Sequence, residues 1–330
     1  MKKKLFACLL SAAMVLSLAA CGGTTETETT DTEGSDSEGQ TYTIGVIQQM
    51  QHEALDAATQ GFQDAVAELF GDQASVEVQN ASGEAANCST IVGSFVSSGV
   101  DLIMANGTTA LQSAAAATTT IPILGTSITE YGVALGIDGF TGTTGMNVSG
   151  TSDLAPLDQQ AAMLQEWFPD AKNVGLLYCS AEPNSLYQVE TVQGYLEEMG
   201  YTCTPYSFSD SNDLSAVATN ACAQSDVLYI PTDNTAATNA ELIGNIAQSS
   251  ATPIIAGEEG ICSGCGVATL TISYYDIGYA TGKMAYEILV NGADPAEMEI
   301  EYAPQFTKKY NPDMCDALGL TAPEGYEAIG

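Results

Sequence analysis

Asp101-Leu102-Ile103-Met104-Ala105-Asn106-Gly107-Thr108-Thr109-Ala110 has a counterpart later in the chain, Asp226-Val227-Leu228-Tyr229-Ile230-Pro231-Thr232-Asp233-Asn234-Thr235-Ala236. In both, an acid precedes a short apolar run, and a turn of amide and hydroxyl side chains leads into alanine. Upstream, Ile44-Gly45-Val46-Ile47 leads to Gly61-Phe62 as Val174-Gly175-Leu176-Leu177 leads to Gly194-Tyr195. Downstream, Ile121-Pro122-Ile123-Leu124-Gly125 matches Thr252-Pro253-Ile254-Ile255-Ala256-Gly257. Matches in the same order on both sides describe a duplicated lobe.

Each half alternates short, wholly apolar runs with longer amphipathic ones, the pattern of buried parallel strands joined by crossover helices. Strands are expected at 43–47, 75–79, 101–105 and 122–125, then 174–178, 202–207, 226–230 and 253–256. Helices are expected at 53–70, 86–98, 109–117, 157–168, 184–199, 213–223, 236–249 and 275–291. Ala54, Leu55, Ala58, Phe62, Ala65, Val66 and Leu69 recur at helical spacing and mark a core face. The fold class is therefore α/β, with two similar doubly wound parallel-sheet lobes joined by a hinge. Lobe 1 is expected over 42–150, completed by part of 276–330, and lobe 2 over 151–275.

The N-terminus carries a different message. Lys2-Lys3-Lys4, an apolar stretch from Leu5 to Ala20 and the run Leu18-Ala19-Ala20-Cys21 describe an export signal over 1–20 that ends in a lipobox. Cys21 is the expected lipidation site, acylated with chains such as palmitate. The stretch is short for a permanent span, which needs roughly 20 apolar residues. From Gly22 to Gln40 the chain has no apolar side chain, so 21–41 is expected to be a disordered tether. Localisation follows: extracytoplasmic, held to the cell membrane by N-terminal lipid alone, as a monomer.

The formal charge is −34, and removing the three signal lysines makes it −34 − 3 = −37. Such a surface repels nucleic acid and anionic lipid headgroups. No arginine occurs anywhere, so the bidentate guanidinium clamp for carboxylates is missing. The cysteines after Cys21 are Cys88, Cys179, Cys203, Cys222, Cys262, Cys265 and Cys315, an odd number scattered through expected strands and helices. They read as buried small hydrophobes. Only Cys262-Ser263-Gly264-Cys265 has redox or metal spacing; without a second CxxC, and with His52 the one histidine, it reads as a local disulfide or two free thiols in a loop lining the cleft. No metal and no cofactor is expected. GxSxG, HExxH, Walker A and a strand-borne GxGxxG are all missing, which argues against an enzyme. Trp167, the one tryptophan, lies in an amphipathic helix and reads as core.

Open parallel sheets bind ligands beyond the carboxyl ends of their strands. The loops there supply Gln48, His52, Thr108, Ser127, Thr129, Asp153, Asn184, Ser185, Asp233, Asn234 and Glu258 as candidate ligand-binding residues. Hydroxyls and helix-start N–H groups around Ser127, Thr129 and Ser185 suit a carboxylate, and an acid, Asp233 or Glu258 foremost, suits an ammonium. Each residue taken singly is equally a helix cap.

The blocks IGVIQQMQHEALDAATQGFQDAV, GMNVSGTSDLAPLDQQ, SAEPNSLYQVE, YIPTDNTAA, IIAGEEG and YYDIGYATGKMAYEIL resemble the substrate-binding lipoproteins of ABC importers of the tryptophan- and tyrosine-binding type, over essentially Tyr42 to Tyr310. The resemblance implies a type I periplasmic-binding-protein fold, closure over an amino acid with an aromatic or large apolar side chain, and delivery to an ABC permease and its ATPase. The chain departs from that pattern where Ala54 replaces a proline and where Cys262 and Cys265 follow AGEEG. A nucleoside- or sugar-binding protein of the same fold, and a ligand-sensing ectodomain, are the alternatives.

Overall fold

The computed structural model describes residues 41–330; Cys21, the export signal and the tether to residue 40 lie outside the described residues. The first sheet begins with β1 (Tyr42–Gln48), β2 (Ala74–Asn80), β3 (Leu102–Asn106), β4 (Ile123–Ile128) and β5 (Val148–Ser152), in the order β2-β1-β3-β4-β5. Their connections include α1 (Glu53–Phe70), α2 (Ala85–Ser98), α3 (Thr108–Ala117) and the short α4 (Tyr131–Leu135). The second sheet repeats the plan with β6 (Asn173–Cys179), β7 (Thr202–Phe208), β8 (Val227–Ile230), β9 (Ile254–Ala256) and β10 (Ala268–Thr271), in the order β7-β6-β8-β9-β10. Its helices are α5 (Leu157–Trp167), α6 (Pro183–Glu198), α7 (Ser211–Gln224), α8 (Asn234–Thr238), α9 (Ala240–Ser250) and α10 (Glu259–Gly264).

Both sheets thus have the 2-1-3-4-5 order of a doubly wound fold, and all of these pairings are parallel. Parallel strands covered on both faces read as apolar runs, as β3 does from Leu102 to Ala105, and every residue of β3 is buried. The chain then returns. α11 (Tyr274–Leu289) and β11 (Glu301–Tyr302) join the first sheet, and β12 (Thr307–Tyr310), α12 (Pro312–Leu318) and β13 (Glu327–Ala328) close the second, β12 antiparallel to β10. The backbone therefore passes between the sheets after Ser152, after Thr271 and after Tyr302. β5 carries the first sheet to Ser152, beyond the boundary at 150 expected from sequence, and α11 starts at Tyr274, just before the expected one at 275.

α11 is fastened to α1 by close approach of the two backbones. A Cβ on Gly278 would lie 2.0 Å from the Ala58 carbonyl oxygen, and one on Gly61 would lie 2.1 Å from that of Tyr275. Around this crossing Phe62, Val66, Met284 and Ile288 form one cluster with strand residues Ile44 and Leu102. Each large side chain fully buried there contributes about 1.5–3 kcal/mol.

The expected helix over 236–249 is two helices, α8 and α9, which meet at Asn239. β5 (VSGTS) and β10 (ATLT) were not expected as strands because they lack apolar runs. The β5 hydroxyls pair within the fold instead: Thr151 Oγ1 lies 3.0 Å from Thr126 Oγ1 and 2.9 Å from Thr281 Oγ1. No helix among the described residues is long and apolar enough to cross a membrane.

Candidate functional site

The carboxyl ends of the two sheets converge on a cavity lined by His52, Leu55, Ser127, Asp153, Asn184, Thr232, Asp233, Asn234, Ala237, Glu258 and Tyr274. From the first lobe, His52 stands ahead of α1, Ser127 near the end of β4 and Asp153 just past β5. From the second, Asn184 follows β6, Thr232 to Asn234 follow β8 and Glu258 follows β9, while Tyr274 opens α11 just past the crossing that returns the chain from β10 to the first lobe. The cavity between them is small, about 10 Å³. The lobes are closed, and an occupant larger than a water needs the hinge to yield.

The carboxylates differ sharply in what they already hold. Asp233 caps α8: its Oδ1 accepts from Ala236 N at 2.8 Å and its Oδ2 from Cys179 N at 2.6 Å. Glu258 caps α10, accepting from Gly260 N at 2.7 Å and from Ile261 N. Glu182 accepts from Asn234 N and Thr235 N at 3.0 and 2.9 Å, and from the Asn234 amide and Thr235 hydroxyl at 2.6 and 2.8 Å. Asp233 and Glu258, the acids expected to meet an ammonium, both line the cavity, and each of their oxygens already accepts one backbone N–H. Asp153 is different. Its Oδ2 accepts from the Tyr274 hydroxyl at 3.0 Å, and its Oδ1, fully buried, has no partner.

Two more buried atoms facing this cavity are unpartnered, Ser127 Oγ and Asn184 Oδ1. Asn184 Nδ2 donates to the Thr232 carbonyl at 2.9 Å, which fixes the amide with its oxygen free. Ser127 has φ +55°, a left-handed conformation unusual for a side chain with a Cβ, at a register shift between β4 and β5. Strain of this kind, on the order of 1–3 kcal/mol, is characteristic of sites where geometry serves binding.

Burial pushes the Asp153 carboxyl up to about 6, against the opposing pull of the Thr129 and Tyr274 hydroxyls. Burial likewise raises Glu258 to about 7, opposed by its two backbone N–H bonds. Asp233 is raised by burial and by the neighbouring Glu182 carboxylate, and His52 is lowered by burial. No lysine lines the cavity.

Four expected site residues stand outside the cavity lining. Gln48 is held within its lobe, donating to Met50 O and Asp56 Oδ1 at 2.8 and 2.6 Å and accepting from Thr59 Oγ1 at 2.7 Å. Thr108 is buried at the start of α3, Thr129 sits behind Asp153, and Ser185 is fully buried beside Asp233. Tyr274 was missed because β10, the strand it follows, lacks an apolar run and was not expected.

Cys262 and Cys265 do not line the cleft, contrary to the expectation. Both are free and fully buried in the apolar core of the second lobe, because α10 is a helix whose apolar side carries them inward. Trp167 packs edge to face on Tyr326, with ring centroids 5.4 Å apart, in the second lobe's own core. No group of three or more His, Cys, Asp or Glu among the described residues is placed to hold a metal.

Two lobes joined by three crossings, with a polar cavity walled by strand ends of both, define a hinged binding protein of the type I periplasmic-binding-protein fold. The chain belongs to the family of ABC transporter substrate binding proteins, whose family model matches residues 43–328. It is 32% identical over 280 residues to a tyrosine-binding protein of Clostridioides difficile (strain R20291), covering 84% of this chain and 81% of that one. A Streptococcus pneumonia ABC domain in complex with L-Trp superposes with a TM-score of 0.83 at 31% identity, covering 88% of this chain and 100% of that one. The ligand-free, open structure of a substrate binding protein with adhesive properties from Clostridium difficile gives a TM-score of 0.68 at 33% identity, covering 87% and 99%.

Proposed function

We propose that this protein captures an amino acid with an aromatic or large apolar side chain between its lobes and delivers it to an ABC permease driven by an ATPase. The observation that carries this reading is the cavity itself, built from strand ends of both lobes, so that an occupant bridges them and favours closure. The relatives add to it: one is a tyrosine-binding protein and another was solved with L-Trp. At nearly equal identity, the chain matches the L-Trp complex better than the open, ligand-free form, with TM-scores of 0.83 and 0.68, in keeping with closed lobes.

Room for a large side chain adjoins the cavity. Past Glu258 and Tyr274 lies a space of about 280 Å³ whose walls include Ala54, Ala57, Ile272 and Tyr275. Narrowing it with Ala57→Phe is expected to weaken an aromatic ligand more than a small one. A titration series from alanine to tryptophan tests this, and an unchanged preference would place the side chain elsewhere.

No catalytic step is assigned. We place the protein outside the cytoplasm, anchored through lipid on Cys21 by way of the 21–41 tether, and acting as a monomer. Cys21→Ala is expected to release folded protein from the membrane fraction; retention after a salt wash would contradict the anchor, since acyl chains would be its main hydrophobic hold on the membrane.

A further inference from the structure

The three unpartnered atoms of the cavity are not a mixed set. Asp153 Oδ1 and Asn184 Oδ1 can only accept a hydrogen bond when the aspartate is ionised, and Ser127 Oγ can accept as well as donate. Their residues are 6%, 6% and 7% exposed, so an unmet acceptor there is costly. A primary ammonium carries three N–H donors and one positive charge, which matches three acceptors, one of them anionic. A carboxylate finds the opposite of what it needs: Asp153, Asp233 and Glu258 in the walls, and no lysine. The backbone N–H groups at the starts of α8 and α10 are bonded to Asp233, Glu182 and Glu258.

Resting on the reading of this cavity as the ligand site, we propose that Asp153, Asn184 and Ser127 form a primary-ammonium receptor, and that the protein also binds aromatic primary amines, which have no carboxylate. Tyr274 is the positioning residue: its hydroxyl holds Asp153 Oδ2, leaving Oδ1 for the ligand.

The test is calorimetric titration of the whole extracytoplasmic chain with L-tyrosine, tyramine, N,N-dimethyltyramine and 3-(4-hydroxyphenyl)propionate. Tyramine is expected to keep most of the affinity of L-tyrosine. Losing the amine, or two of its three N–H donors, is expected to cost about 30-fold or more, the scale of an unpaired buried charge. Asp153→Asn should weaken L-tyrosine and tyramine alike while thermal melting shows an intact fold. Binding of L-tyrosine without tyramine, equal binding of the propionate, or equal binding of the dimethylated amine would each overturn the receptor while leaving amino-acid capture standing. If none of the four binds, and L-tryptophan and tryptamine fail too, both readings fall together.

Discussion

His52 Nε2 lies 3.0 Å from Asn234 Oδ1, a side-chain hydrogen bond that joins the first lobe to the second across the mouth of the cavity. The direction of the bond follows from the network behind it. Asn234 Nδ2 donates to Glu182 Oε2 at 2.6 Å, so its Oδ1 faces the histidine and His52 must donate from Nε2. Glu182 is itself fixed by the start of α8, so the latch on the second lobe is rigid. Substituting His52→Ala should weaken ligand binding about 2–10-fold by destabilising the closed state, the scale of one net hydrogen bond. A double-mutant cycle with Asn234→Ala should return a coupling of about 0.5–1.5 kcal/mol; strict additivity would show that the contact does not hold the lobes.

Asp153 sets stability against binding. Its folded pKa, about 6, is raised above the ordinary carboxylate value of 3.8, so its contribution to the stability of the ligand-free protein is fully present below that ordinary value and is lost as pH rises through about 6. Asp153→Asn should therefore raise the melting temperature at neutral pH, by about 1–3 kcal/mol in stability, while impairing binding. An ammonium needs the ionised aspartate. Affinity should rise between about pH 5 and pH 7 as Asp153 ionises. A melting curve unmoved by the substitution would mean that the carboxylate is not strained by burial.

Ser127→Gly removes a hydroxyl and relieves a left-handed backbone. The expected outcome is stability unchanged or raised by about 1 kcal/mol together with weaker binding, because the strain is held for the site. Loss of stability with binding intact would make Ser127 purely structural.

The thiols of Cys262 in α10 and of Cys265 just after it should matter to folding and little to the ligand. Cys262→Ser and Cys265→Ser each place a hydroxyl in an apolar core, at a cost of about 1–3 kcal/mol. Chemical denaturation would register that cost; a large shift in affinity without a shift in stability would return these residues to the site.

What the sequence reveals and what it conceals have physical causes. Leu102–Asn106 is legible as a buried parallel strand because both of its faces are covered, whereas Val148–Ser152 is hidden because its serines and threonine are satisfied by partners far along the chain. The site is legible as a place, the strand ends of two repeated sheets. The roles within it are not. Asp233, Glu258 and Asp153 look alike in sequence, and only the folded backbone decides that the first two meet helix N–H groups while the third keeps an oxygen free. Similarly, nothing local in Cys262-Ser263-Gly264-Cys265 tells that a short helix turns both thiols inward.

Isothermal titration with L-tyrosine and L-tryptophan, run beside a nucleoside, tests the central claim most directly. The account predicts saturable one-to-one binding of an aromatic amino acid to the wild-type chain, strongly reduced in Asp153→Asn, and no heat with the nucleoside. Binding of the nucleoside with none for either amino acid would contradict it.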